Sequence, residues 1–278
     1  MDYGILAFAT DQTISPGDTA RIAEEMGFES VWFPEHSHLP LASGGWPGGD
    51  EIPAVYGRTL DQWVALGMAT EATERIRLGT GMTLVPQHDP IWLAKMAASV
   101  DHLSGGRLEM GVGYTWNRAE IEDHGIPFAS RRARTRECVA LMRALWTGDE
   151  ASYEGDYVSI SPSQAWPKPI QQGGPPLVIG AGVGPKTLAD LVGWADGWAP
   201  MFGRDDIDGT LPRVRAALDE AGRDVGDFSL SIFGVPSTPE AIATVAAWEP
   251  DRIVFGAGGA NETDYRAALE RIRDALPI

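Results

Sequence analysis

The feature that most constrains this chain is a regular alternation of short apolar segments with amphipathic segments of helical period. Strands that alternate with helices in this way form βαβ units, in which the strands lie parallel. Roughly eight strands are predicted, at residues 2–9, 29–36, 75–86, 105–116, 177–182, 195–201, 228–235 and 251–258. Eight strand–helix pairs are the number that a closed parallel barrel requires.

Capping residues mark the ends of the intervening helices. Ser15 is an N-cap candidate, Pro16 follows at the first helical position and Gly27 closes the helix, while Asp89 caps a later one. Helices are predicted at residues 15–28, 61–73, 89–104, 117–124, 130–146, 185–195, 211–221 and 239–248, with a last one ending near residue 276. Alternation does not by itself show closure, so an open doubly wound sheet is the alternative architecture.

Two segments interrupt the alternation. Residues 38–57 form a long loop rich in Gly and Pro that carries Trp46 and Tyr56, and loops of this length are functional lids or disordered segments. Residues 151–161 alternate apolar and polar side chains around Gly155, which predicts a β-hairpin. We therefore expect one domain over residues 1–278, a (β/α)8 TIM barrel with a long loop after its second strand and a small hairpin before its fifth.

The net charge of −17 at pH 7 limits the partners of this chain. It repels nucleic acid and anionic membranes, so neither is expected as a partner. There is no signal peptide pattern and no apolar stretch long enough to cross a bilayer. The single Cys138 predicts a buried, inert thiol in a reducing cytoplasm. A phosphorylated cofactor would have to be held by short-range donors such as backbone N–H groups.

Unusual residues collect at the C-terminal ends of the predicted strands, where TIM barrels place their active sites. His36 ends the second strand, either as a rim histidine bonded to backbone or as a proton carrier beside a bound ring. Gly79 and Gly81 flank Thr80 inside the third strand, where glycine marks packing room or a bulge. Residues 180–184, GAGVG, precede a helix and expose backbone N–H groups suited to a phosphate or carboxylate.

Two other chemistries are disfavoured. The histidines show no metal-ligand spacing except at His36 and His38, for which no carboxylate partner is identifiable, so no metal is expected. There is no GxSxG elbow, and Cys138 lies in a helical segment away from any strand end, which argues against nucleophilic hydrolysis.

Several segments together resemble the luciferase-like monooxygenase superfamily, and within it the branch that uses the deazaflavin coenzyme F420. The resemblance covers most of the chain. It is carried by SVWFPEH, RIRLGTGMTLVPQHDPIWLAK, DHLSGGRLEMGVGYTWNRAE, GPPLVIGAG and the ADGW of residues 195–198.

The resemblance implies a cofactor that lies across the strand ends with its ring against a bulge in the third strand. That bulge would carry a non-proline cis peptide at Gly81–Met82, and His36 would lie near the deazaflavin ring. The implied cofactor-binding residues are His36, Thr80, Gly81, Met82, Gly113, Tyr114, Gly180, Ala181, Gly182, Val183 and Gly184. A homodimer, formed through the helices after the second and third strands, is also implied.

One position departs from the family pattern. Sugar-phosphate dehydrogenases of this family carry a catalytic glutamate shortly after the fourth-strand glycines, where this chain has Trp116, with Glu120 one helical turn later. We therefore predict His36 and Glu120 as catalytic residues, and Trp46 and Trp116 as walls of a less polar substrate pocket.

The predicted function is hydride transfer between coenzyme F420 and a small organic substrate. An FMN-dependent monooxygenase of the same fold is the first alternative. A deazaflavin-binding carrier or sensor without turnover is the second alternative, because Trp116 replaces the catalytic glutamate of the sugar-phosphate dehydrogenases.

Overall fold

The computed structural model describes residues 1–277 and shows a closed barrel of eight parallel strands. The strands are β1 (Asp2–Leu6), β2 (Ser30–Phe33), β3 (Arg77–Leu84), β4 (Leu108–Gly113), β7 (Leu177–Ile179), β8 (Gly197–Trp198), β9 (Ser229–Phe233) and β10 (Arg252–Gly256). They follow one another around the barrel in chain order, and β10 pairs with β1 over its whole length. The TIM-barrel prediction is confirmed, and the open-sheet alternative is excluded by that last pairing.

The predicted hairpin is also confirmed. Strand β5 (Ala151–Glu154) pairs antiparallel with β6 (Ser159–Ser163) outside the barrel, before its fifth strand. The Glu137 carboxylate fixes the turn, because it accepts the backbone N–H groups of Asp156, Tyr157 and Val158 at 3.1, 2.7 and 3.1 Å.

Nine helices surround the barrel in the described range. They are α1 (Pro16–Glu25), α2 (Gln62–Ala72), α3 (Pro90–Leu103), α4 (Arg118–Asp123), α5 (Arg131–Thr147), α6 (Pro185–Gly193), α7 (Ile207–Glu220), α8 (Pro239–Ala246) and α9 (Glu262–Ala275). The predicted caps are confirmed: Ser15 accepts a backbone N–H of α1, and Asp89 accepts two from α3.

Two helix starts were predicted wrongly. Helix α7 begins at Ile207 rather than residue 211, because Asp206 caps it by accepting the Gly209 N–H at 3.0 Å and the helix continues through Pro212. Helix α5 begins at Arg131, since the preceding residues Phe128–Ser130 form a 3-10 turn and the Ser130 side chain bonds Pro127 instead of capping the helix.

The strands are shorter than the apolar patterns suggested. The second covers Ser30–Phe33 instead of residues 29–36, so His36 lies three residues beyond the strand in the loop that leaves the rim. Apolar side chains continue past the last ladder bond because the rim residues remain packed against the helices and the loop. The loop after β2 contains a 3-10 helix, Ala54–Arg58.

Buried charges close the N-terminal end of the barrel. Arg252 donates from Nε and Nη2 to Glu29 at 2.7 and 2.9 Å, and from Nη1 and Nη2 to Glu109 at 3.1 Å each. Glu29 precedes β2, Glu109 lies in β4 and Arg252 in β10, so one guanidinium ties three distant parts of the barrel. The pKa of Glu29 is lowered: its burial acts to raise the pKa, but the hydrogen bonds and charge of Arg252 outweigh that effect.

Two further observations concern the single cysteine and the length of the helices. Cys138 is fully buried in α5, and burial raises the pKa of its thiol to about 11. Among residues 1–277, no helix is both long and apolar enough to span a bilayer.

The Arg252 network generates a stability prediction. We expect Arg252→Met to lower the free energy of unfolding at neutral pH by about 1.5–3 kcal/mol, because it removes the hydrogen bonds to the buried Glu109 and half-buried Glu29 carboxylates and leaves only Arg77, at 3.5 and 3.7 Å, to balance their charge. Chemical denaturation measures this loss. The matched control is Arg271→Met, at an exposed position of α9, which should change the free energy by less than about 0.5 kcal/mol.

The same pair of proteins tests the pH dependence. Because the folded-state pKa of Glu29 is lowered, its contribution is present above the ordinary glutamate pKa of about 4.3 and is lost as the pH falls through the folded-state value. The stability gap between wild type and Arg252→Met should therefore narrow in acid. A gap that stays constant down to the acid transition would contradict this assignment.

Candidate active site

A cleft of about 250 Å3 opens at the C-terminal ends of the strands. Its walls come from the ends of β1, β2, β3, β4, β7 and β8 and from the loop after β2. Its lining includes Phe8, Glu35, His36, Trp46, Tyr56, Gly81, Met82, Gly113, Tyr114, Trp116, Arg131, Arg132, Gly180, Ala181 and Arg204. It lies on the face where TIM barrels carry their active sites.

The third strand is irregular where it borders the cleft. Its register with β4 shifts between Thr80 and Thr83, so the predicted bulge is present, and the Gly81–Met82 peptide is cis. Glycines on neighbouring strands make room for the Met82 side chain: a Cβ on Gly180 would lie 2.6 Å from Met82 Cγ. The bulge therefore forms one wall of the cleft, and few side chains project from this wall.

A buried histidine–glutamate pair faces this wall. His36 Nδ1 lies 2.8 Å from Glu120 Oε2, and Glu120 is fully buried. The other carboxylate oxygen of Glu120 accepts the backbone N–H of Ser37 at 3.0 Å. Because the carboxylate accepts at Nδ1, the Nε2 atom of His36 is the one left to meet a ligand.

Polar groups connect this pair to the protein surface. The Ser37 hydroxyl lies 3.3 Å from Glu120 Oε1, 2.9 Å from His38 Nδ1 and 2.8 Å from His124 Nε2. His38 in turn lies 3.1 Å from the carboxylate of Asp123. The carboxylates that sequence analysis could not assign to the His36–His38 pair therefore come from α4. Within residues 1–277, no group of three or more His, Cys, Asp or Glu side chains is arranged to hold a metal ion.

Glu35 braces the other side of the rim. Its carboxylate accepts the Leu84 N–H at 2.6 Å and contacts His88 Nε2 at 2.8 Å. Burial acts to lower the pKa of His88, but the hydrogen bond and charge of Glu35 outweigh it and raise that pKa. Both oxygens of Glu35 are thus occupied by protein groups, so this carboxylate has a structural role at the rim.

Tyr114 lines the cleft with its ring only. Its hydroxyl donates to the buried Asp190 at 2.6 Å, and Asp190 also pairs with Arg136. Burial, followed by the hydrogen bond to Asp190, raises the pKa of Tyr114, so the hydroxyl stays protonated and committed to helix α6.

Three arginines add positive charge to the cleft of this acidic chain: Arg131 and Arg132 at the start of α5, and Arg204 after β8. Arg132 donates to Thr187 at 2.8 Å and lies 4.2 Å above the Tyr114 ring, which places it beside the first turn of α6. The Nε atom of Arg131 is buried without a hydrogen-bond partner among the described residues. Such donors suit an anion.

Only the first part of the glycine-rich loop, residues 180–184, lines the cleft. Gly180 and Ala181 line the cleft, whereas Gly182, Val183 and Gly184 lie outside it and lead into α6. Gly184 is the N-cap of α6 and Pro185 its first residue, as predicted from the sequence. The backbone N–H groups of this helix start are suited to a phosphate that extends from the cleft.

Of the other predicted site residues, Gly81, Met82, Gly113, Trp46 and Trp116 line the cleft. Thr80 does not: it is fully buried, and its hydroxyl donates to the Gly111 carbonyl at 2.9 Å. Glu120 does not line the cleft either and touches it only through His36.

Sequence analysis missed the three arginines, Tyr56 as a wall residue and Phe8. The run RRAR at residues 131–134 in an otherwise acidic chain was a usable signal for Arg131 and Arg132, whereas Arg204 carried none. Phe8 carried none, because only barrel closure places it here.

The histidine–glutamate pair generates a prediction for the protein without ligand. Glu120→Ala should remove the preference of His36 for a proton on Nδ1. It should also lower the free energy of unfolding by about 1–3 kcal/mol, because the groups that donate to the carboxylate lose their hydrogen-bond acceptor. Nitrogen-15 NMR of the histidine rings reports the tautomer. Glu122→Ala, which removes an exposed neighbour in α4, is the control and should leave both unchanged. A wild-type His36 with no proton on Nδ1 would refute the assignment.

Comparison with known proteins identifies the family. A family model described as luciferase-like monooxygenase matches residues 15–275. An uncharacterised protein of Mycobacterium tuberculosis is 41% identical over 280 residues, which cover 99% of both chains. The monooxygenase RslO1 of Streptomyces bottropensis has the same fold with a TM-score of 0.80 and 21% identity, over 99% of this chain and 98% of that one.

Relatives that are named for an activity fall into two groups. An F420-dependent glucose-6-phosphate dehydrogenase of Amycolatopsis mediterranei is 29% identical over 276 residues, covering 92% of this chain and 75% of the relative. A 4-hydroxyprotoasukamycin monooxygenase of Streptomyces nodosus is 32% identical over 210 residues, covering 73% of this chain and 52% of the relative. A match over nearly the whole barrel, with the bulged third strand in its cleft, shows that the chain belongs to the luciferase-like monooxygenase family.

Proposed function

We propose that this protein is a coenzyme F420-dependent oxidoreductase that transfers a hydride between the deazaflavin and a small organic substrate. The observation that carries the proposal is the buried His36–Glu120 pair, joined at 2.8 Å, in which His36 lines the cleft beside the β3 bulge and Glu120 lies behind it. Reduction of a carbonyl by hydride requires a proton at its oxygen, and oxidation of an alcohol requires that a proton be removed.

The residues of the cleft fit this cofactor. Gly81, Met82 and Gly113 give a wall against which a flat ring can lie, and Arg132, Arg204 and the start of α6 offer donors to its phosphate. When bound, the deazaflavin supplies or accepts the hydride.

His36 would move the proton. With Glu120 accepting at Nδ1, Nε2 is directed to exchange a proton with the substrate oxygen or with the ring. Glu120 would act by fixing the orientation and the tautomer of the imidazole. Positioning of substrate and ring next to each other is the remaining contribution of the cleft.

Two alternatives have support of their own. The 32% identical monooxygenase relative favours an FMN-dependent monooxygenase on the same barrel. A carrier or sensor without turnover is favoured by Trp116, which stands where sugar-phosphate dehydrogenases of the family have a glutamate. Because Glu120 is fully buried, it does not take over that position in the cleft.

A binding titration tests the proposal. We expect the purified protein to bind coenzyme F420 with micromolar or tighter affinity and to bind FMN at least about tenfold more weakly, a difference of about 1.4 kcal/mol. Calorimetry or quenching of cofactor fluorescence measures both affinities. Arg132→Ala should weaken F420 binding, whereas Arg271→Ala, at an exposed position of α9, should not. A preference for FMN would favour the monooxygenase, and binding of neither would refute the oxidoreductase.

We also propose that the protein is one domain, acts in the cytoplasm and forms a homodimer through α2 and α3. These neighbouring helices expose apolar side chains: Val64 and Met68 on α2, Ile91 and Trp92 on α3. Trp92 is 68% exposed, although tryptophan is mostly buried in folded proteins. An apolar patch of this kind marks an interaction surface.

Substitution on this patch tests the dimer. Wild-type protein should elute as a dimer in size-exclusion chromatography with light scattering, and the double variant Met68→Asp/Trp92→Asp as a folded monomer, because the charges would be desolvated in the interface. Tyr157→Asp, at an exposed aromatic residue of the hairpin, is the control and should leave the dimer intact. A monomeric wild type would contradict the proposal.

A further inference from the structure

We infer that the substrate is a neutral, cyclic or aromatic ketone or secondary alcohol, bound by the aromatic residues Phe8, Trp46, Tyr56 and Trp116 with its oxygen facing His36. These four residues are called the aromatic wall below. The inference rests on the proposed hydride-transfer function for the reaction, and on the aromatic wall for the class of substrate.

Tyr56 is the centre of the aromatic wall. Its ring centroid lies 5.1 Å from that of Phe8, 5.7 Å from Trp46 and 6.3 Å from Trp116. His36 belongs to the same cluster, 5.2 Å from Tyr56 and 5.6 Å from Trp116. Tilted and edge-to-face rings at these distances attract one another and bind a further ring by the same contacts. The proton carrier is thus surrounded by aromatic surface.

The loop after β2 is fixed in the position that presents this surface. Asn117, fully buried, donates to the Ser43 hydroxyl at 2.8 Å, and Thr59 donates to the His36 carbonyl at 2.9 Å. Between these two ties, the Trp46 ring folds over Gly48, where a Cβ would lie 2.4 Å from Trp46 Cζ2. The loop therefore carries a glycine where the indole requires one.

The four residues of the aromatic wall carry no charge. Two of the three arginines of the cleft have partners outside the aromatic wall: Arg132 contacts Tyr114 and Thr187, and Arg131 lies 3.6 Å above the Phe128 ring. The carboxylate of Glu35 is occupied by Leu84 and His88. A charged group on the substrate would lose its hydration against the aromatic wall without gaining a partner there. The arginines are left for the anionic part of the cofactor.

The position of His36 beside the aromatic wall determines where the reacting oxygen of the substrate lies. An alcohol whose ring packs on Tyr56 and Trp116 would place its O–H beside His36. In oxidation, His36 Nε2 would accept the O–H proton, and the deazaflavin that the cleft would hold would accept the C–H hydrogen with its electron pair. In ketone reduction both hydrogens would travel the opposite way, so atoms and electrons balance.

Ligand binding tests the class of substrate without turnover. The probes are acetophenone and 1-phenylethanol, with glucose 6-phosphate as the charged comparison, each titrated into protein with and without F420 and followed by saturation-transfer NMR. We expect both neutral probes to bind, and glucose 6-phosphate to bind at least about tenfold more weakly. Tighter binding of glucose 6-phosphate would overturn the inference.

Variants place the probe on the aromatic wall. Trp116→Ala and Tyr56→Ala should each weaken acetophenone binding about tenfold, because each removes an aromatic contact and its buried area. Trp116→Phe keeps a ring and should retain binding within about threefold, which separates a lost contact from a lost fold. Tyr157→Ala, an exposed aromatic outside the cleft, is the control. Equal losses in the control and in Trp116→Ala would overturn the assignment.

The two proposals can fail separately. Binding of F420 with no binding of either neutral probe would overturn the substrate class and leave the hydride-transfer function standing. Binding of the probes to a protein that binds neither F420 nor FMN would support the aromatic wall and refute the proposed function.

Discussion

The arrangement of the candidate site at the C-terminal rim depends on the pairing of β10 with β1. This pairing joins Asp2 to Arg252 and Leu6 to Gly256, and it converts a row of strands into a ring. Once the ring is closed, the loops that follow the strands converge on one opening, and residues from distant parts of the chain become neighbours. The pair His36 and Glu120 bridges 84 residues of sequence and exists only because β2 and β4 end at the same rim.

The two ends of the barrel use charge differently. At the N-terminal end, Arg252 is shared between Glu29 and Glu109, so the charges compensate one another and fix strands. At the C-terminal end, Glu120 is compensated by His36 and Ser37, while the arginines of the cleft keep donors for a ligand. Stability and chemistry are thereby placed at opposite ends, as the barrel architecture permits.

The cleft itself is divided between a polar part and an aromatic part. Glycines on β3 and β4 and directly after β7 bring backbone to its floor, and the start of α6 adds N–H groups at one side. The loop after β2 covers the other side with Trp46 and Tyr56, which meet Trp116 from the rim of β4. An anionic cofactor and a neutral substrate are complementary to this division, because each part offers the partner that one of them needs.

The sequence by itself determined the alternating strands and helices, the hairpin, the cap residues Ser15 and Asp89, the glycines of the third strand and the position of His36 after the second strand. These features follow from local periodicity, local capping and glycine placement, or from a family resemblance carried by contiguous segments. Only the tertiary structure decided that Glu120 lies behind His36 instead of in the cleft, that Thr80 faces away from it, and that Phe8 and the three arginines border it. The physical reason is that a side chain's partners at the rim are set by strand order and stagger around the closed barrel, which no local pattern along the chain contains.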